Sequence, residues 1–151
     1  MADLRPADDI SIPNEELLLY RVFPSPDVVR EAEGGGYRPM SGAMKPNNRD
    51  EPLSVDLGSL STPEQTRDRE TNGNFHVVQL NVGQVRAAGF RVVRDPISSG
   101  AVPNPAHALI YGSRTDDADN IIGGLTNSES AKLARMARFI IIAPQPGESS
   151  V

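Results

Sequence analysis

Apolar positions in this chain fall into short runs of differing period, separated by long polar stretches. Residues 15–23 hold Leu17, Leu18, Leu19, Tyr20, Val22 and Phe23 in near-continuous order before Pro24, which predicts a buried strand interrupted by Arg21. Residues 53–57 alternate, with Leu53, Val55 and Leu57 on one face, and predict a second strand. Further strands are predicted at 75–80, 90–94 and 106–111, each closing at a turn residue or a proline. The period changes at 82–89, where Val82, Val85 and Ala88 share a helical face that ends at Gly89. It changes again at 128–138, where Leu133, Met136 and Ala137 form an inner stripe. Residues 139–143 either close that helix or make a last strand. Thr62, Pro63 and Gln65 sit at the N-cap, N1 and N3 positions of a short helix whose next residues carry no apolar stripe.

Between these elements the pattern is irregular. Residues 27–71 are punctuated by Gly34, Gly35, Gly36, Pro39, Pro46 and Pro52, and residues 116–124 are acidic, with Ile121 and Ile122 as candidate anchors. Residues 1–13 lack any period and predict a flexible leader. Residues 14–143 predict a single domain, and 144–151 a flexible tail. The expected architecture is α+β: a small mixed or antiparallel sheet, two or three helices and long loops.

Composition narrows the classes. A chain of 151 residues suits one core. A mean hydropathy of -0.37 with 13 Gly and 13 Pro agrees with long connections. With no cysteine, disulfides, thiolate nucleophiles and Cys-based metal sites are excluded. The acidic start lacks a secretory signal, and no apolar run approaches the ~20 residues that span a bilayer, so a cytoplasmic protein without membrane contact is expected. A net charge of -5 argues against non-specific DNA binding. Of 15 basic residues only Lys45 and Lys132 are lysines. That arginine bias suits bidentate recognition of carboxylate or phosphate, and is also what GC-rich coding produces.

Several residues bear on chemistry. His107 opens a strand after Pro103 and Pro105, where an imidazole can serve as acid, base or anion donor, or simply bond a turn carbonyl. The stretch Tyr37 to Lys45 combines Arg38, Ser41, Gly42 and Lys45, so its amides and cations can hold an anion, although it lacks a P-loop ending and a plain loop has the same composition. Asp116, Asp117 and Asp119 cluster without the spacing of a calcium loop, so a solvated acidic loop accounts for them. No nucleophile-elbow sequence is present. No metal or other cofactor is expected.

Three resemblances add expectations. His76 and His107, each leading an apolar strand, resemble the paired histidines of 2H phosphoesterases, with Val78 and Leu109 where that family has Ser or Thr. Arg21 beside Tyr20, followed by Ser41 and Ser54, resembles the ADP-ribosyltransferase arrangement. There an early Arg grips the NAD phosphates and a strand Ser orients the nicotinamide ribose, and no late Glu completes it here. The blocks around Leu19-Tyr20-Arg21-Val22, Arg38 to Lys45, Leu53 to Asp56 and Asn104 to Ile110 resemble a family of short uncharacterised bacterial proteins, which implies a bacterial cytosolic origin. The candidate site is therefore Arg21, Arg38, Ser41, Ser54 and His107. The leading expectation is a small binding or accessory protein whose pocket takes an anionic group of a small molecule or a protein partner. The alternatives are an NAD- or nucleotide-processing enzyme of ADP-ribosyltransferase-like type, and a protein-interaction component without a ligand pocket.

Overall fold

Strand alternation sets the central layer. In the computed structural model, which describes residues 2–25, 28–31, 36–69, 73–98 and 102–143, β1 (Leu17–Val22) directs Leu18 and Val22 into the main core. Its neighbours follow through register. Leu18 stands opposite Leu57 of β4 (Leu53–Leu57) on one side and Leu80 of β5 (His76–Asn81) on the other. Beyond β4 lie β7 (His107–Tyr111) and β6 (Arg91–Arg94), and beyond β5 lies β8 (Arg138–Ile141). The order is β6-β7-β4-β1-β5-β8, and every pairing is antiparallel, the simpler of the two expected sheet types. A separate two-stranded ribbon joins β2 (Val29–Glu31) to β3 (Tyr37–Pro39) and runs into a 3-10 turn at Ser41–Met44.

The helices start where their caps are. α1 (Pro63–Asp68) begins at the Thr62 capping box, with the Gln65 side chain bonding back to the Thr62 amide. It is short, as expected, but it docks on the reverse face of the sheet through buried Thr66 instead of an apolar stripe. α2 (Val82–Ala87) is capped by Asn81, buries Val82 and Val85, and releases the chain at Gly89, whose φ of +98° favours glycine. α3 (Asn127–Met136) is set by a second capping box, Thr126 with Glu129, and sends Leu133 into the core beside Met44 and Leu125. Gly124 precedes it at a point where a Cβ would overlap the Arg49 carbonyl. Of the two alternatives for residues 139–143, the structure has the strand.

The first dozen residues correct the expected leader. Ile12 is fully buried in the core. Ahead of it, the Leu4 N–H donates to the Ile121 carbonyl at 2.8 Å, and the Asp9 N–H to the Val92 carbonyl at 2.9 Å. Asp3 pairs with Arg91 at 2.6 Å, and Asp8 pairs with Arg86 at 2.9 Å. These carboxylates lie opposite arginines distant in sequence, so no local period announces the contact. The segment is a strap along β6, and it belongs to the folded unit. The expected tail at 144–151, together with Gly34, Gly35 and Asn72, lies outside the described residues.

Candidate functional site

The expected site residues divide among three places. Arg21 of β1 and Ser54 of β4 line one cavity of about 610 Å³, together with Tyr20, Lys45, Glu51 and Phe75. The Arg21 guanidinium donates to the Arg69 carbonyl and lies 5.4 Å from the centre of the Phe75 ring. Arg38 and Ser41 line a different cleft, of about 750 Å³, between the β3 region on one side and α3 and β8 on the other. His107 lines neither. Its Nδ1 lies 2.9 Å from the Asp95 carbonyl oxygen and 3.1 Å from an Asp95 carboxylate oxygen, and the Asp95 N–H returns a bond to the His107 carbonyl. A single pocket lined by Arg21, Arg38 and His107 is therefore corrected to two cavities and a histidine-clamped turn. The reason is topological: β3 sits outside the main sheet, and His107 points to the reverse face beside Asp56.

The two histidines also part. β1 and β4 separate β5 from β7, and His76 pairs in register with core-facing Val22 whereas His107 pairs with Asp56 on the other face. They share no site. His76 is fully buried, with its ring 5.2 Å from Phe139 and 6.1 Å from Tyr37, both of which line the larger cleft. Its Nδ1 accepts the Ala143 N–H at 2.9 Å, which assigns the proton to Nε2, and Nε2 has no hydrogen-bond partner among the described residues. Burial holds its pKa below the ordinary 6.5, so the ring is neutral near pH 7. It backs the aromatic wall of the cleft.

That cleft has the most distinctive electrostatics. Arg38 from β3, Arg135 from α3 and Arg138 from β8 all line it, and all are exposed. Seven other arginines, Arg5, Arg67, Arg69, Arg86, Arg91, Arg94 and Arg114, each lie within 4.0 Å of a carboxylate, whereas Arg21 and Arg49 have no carboxylate partner among the described residues. Among the described residues, Arg38, Arg135 and Arg138 have no such partner, and no Asp or Glu lines the cleft. The rest of its lining is apolar or weakly polar, from Tyr37, Pro39, Met40, Ala134, Phe139 and Ile142, with Ser41 among them. Planar guanidinium groups around such a surface suit bidentate hydrogen bonding to carboxylate or phosphate, with an apolar portion of the ligand on the floor. Among the described residues no group of three or more His, Asp or Glu side chains is placed to hold a metal ion.

Sequence reasoning located Arg38 and Ser41 but missed Arg135 and Arg138. No local spacing announced them, since Arg135 lies at the end of α3 and Arg138 opens β8, and they meet the cleft only through the tertiary fold. It also missed a buried polar network on the reverse face. Asp56 is nearly buried, and its carboxylate accepts from Thr66 Oγ1 at 2.8 Å, Arg69 Nε at 2.7 Å and Asn104 Nδ2 at 2.9 Å. Ser61 bonds to both Thr66 and Arg69. With both carboxylate oxygens bonded, the cluster locks α1 and the β7 approach to the sheet. An acidic residue on the reverse-facing side of an alternating strand was the clue. Comparisons with family models, with curated proteins and with solved structures find no match to this chain.

Proposed function

We propose that the protein is a binding or accessory component that recognises an anionic group, on a small molecule or on a protein partner, in the cleft lined by Arg38, Ser41, Arg135 and Arg138. One observation carries the reading: three arginines without carboxylate partners among the described residues line one concavity, in a chain of net charge -5 that pairs its other described arginines far more often than not. Self-repulsion of three exposed cations is modest in water, and it is relieved when an anion enters. The test is a thermal-shift titration with inorganic pyrophosphate and with citrate at two salt concentrations. Saturable stabilisation that weakens with salt and disappears in an Arg38→Ala/Arg135→Ala/Arg138→Ala variant is expected. An unchanged melting temperature in wild type at millimolar anion overturns the reading.

A second reading, a nucleotide-processing enzyme, draws on Arg21 and Ser54 sharing a cavity whose wall includes Phe75, an aromatic surface suited to a base or nicotinamide. Incubation with NAD decides it. Release of nicotinamide that is lost on Arg21→Ala favours the enzyme, and intact NAD after prolonged incubation removes it.

A further inference from the structure

The two edges of the sheet differ in how their backbone groups are satisfied. At β6 the strap takes up the free edge: the Val92 carbonyl accepts the Asp9 N–H, and the Val92 N–H donates to the Asp8 carboxylate at 2.8 Å. At β8, the opposite edge, residues 138–142 make no backbone hydrogen bond beyond the ladder with β5 among the described residues. Uncovered edges are templates for another strand, and proteins ordinarily shield them. β8 carries further signs of an unfilled position. Ile140 and Ile142 are 37% and 52% exposed, and Arg138, Phe139 and Ile142 line the arginine cleft, so the free edge and the cleft are continuous.

We propose that the natural occupant of this cleft is an extended acidic peptide segment of a partner protein, which adds to β8 as a seventh strand and places carboxylates against Arg38, Arg135 and Arg138. The inference rests on the anion-binding reading and names its ligand class. A small anion would engage the guanidinium groups and leave the β8 backbone, Ile140 and Ile142 as they are. An extended peptide satisfies all three features together: its amides and carbonyls continue the ladder, its acidic side chains meet the arginines, and its apolar side chains cover Ile140 and Ile142. Charge selects the partner's sign. A second copy of this chain would bring its own Arg38, Arg135 and Arg138 to the same place, so like charge disfavours pairing β8 with itself.

The probe is a fluorescein-labelled, end-blocked heptapeptide of alternating valine and glutamate, titrated with the full chain by fluorescence anisotropy. Two derivatives carry N-methyl groups on alternate amides, one along each edge of the peptide, and a third replaces every glutamate by lysine. Saturable binding of the parent is expected, with at least tenfold loss in one N-methyl derivative and little change in the other, and no binding of the lysine peptide. Arg135→Glu, exposed on α3, is expected to weaken the parent at least tenfold while its far-ultraviolet circular dichroism stays that of wild type. Equal binding of both N-methyl derivatives overturns strand addition and leaves anion recognition standing. The same holds if pyrophosphate stabilises the protein and no peptide binds. If neither pyrophosphate nor peptide binds, both the inference and the reading beneath it fall.

Discussion

The strap on β6 and the cleft beside β8 use the same residue type at opposite edges of one sheet, with opposite outcomes. Beside β6, Arg86 of α2 and Arg91 of β6 are held by Asp8 and Asp3, and the edge backbone is bonded. Around β8, Arg38, Arg135 and Arg138 face a shared concavity without carboxylates, and the edge backbone is free among the described residues. An arginine matched within its own chain orders that chain. An unmatched group of them at a concave surface is available to something else. Position relative to carboxylates, and not arginine content, separates the arginines that order the fold from those of the proposed site.

The sharpest way to break the comparison is to show that the strap does no structural work. Ile12→Ala removes a fully buried side chain, and a loss of about 3 kcal/mol is expected in urea unfolding, whereas a dispensable leader would leave the midpoint unchanged. Asp8→Ala removes the acceptor of the Val92 amide and the partner of Arg86. Its expected cost is about 1–2 kcal/mol, and faster hydrogen exchange at Val92 would locate it at the edge.

Acid should dissect the two regions further. Arg5 holds the Asp3 carboxyl well below its ordinary 3.8, and Ser11 lowers that of Asp9. Carboxylates with depressed folded values contribute stability that is present above about pH 4 and lost as pH falls through the folded values. The strap should therefore loosen below pH 4, visible as exchange at Leu4 and Asp9 before global unfolding. His76, next to the cleft, acts in a higher window. Its folded pKa is lowered from 6.5 by burial, so the unfolded chain takes up a proton first, and stability falls as pH drops below 6.5 and is level above it. The slope is at most about 1.4 kcal/mol per pH unit, and His76→Phe should flatten it between pH 7 and 5. A wild-type profile already flat across that range would contradict a neutral buried ring.

The smallest expected effect is the most discriminating. Substituting Arg38, Arg135 and Arg138 together by alanine should change stability by no more than about 0.5 kcal/mol, because exposed cations without partners contribute little to folding. A clearly destabilised variant would mean that these arginines are structural after all.

What could be read from the chain followed the range of the physics. Local signals held. The Thr62 capping box, the Gly89 stop and the alternation at 53–57 are set by neighbours within a few residues, and each appears in the structure. The strap was invisible because its stabilising partners, Arg86 and Arg91, lie about 80 residues away from Asp8 and Asp3, at separations of 78 and 88 positions. The Asp56 network was hidden for the same reason, since Thr66, Arg69 and Asn104 meet it only after α1 folds across the sheet. Arg38 and Ser41 stood out by local composition. Arg135 and Arg138 fall at the end of the helix expected over 128–138, and nothing local marks the β3 side of the cleft opposite them.

The most direct test follows the arginine Nε–H signals by ¹⁵N NMR during a pyrophosphate titration. The account predicts saturable shifts for Arg38, Arg135 and Arg138, with Arg86 and Arg91 unmoved in their pairs with Asp8 and Asp3. Uniform small shifts across all five, or movement confined to Arg86 and Arg91, would contradict it.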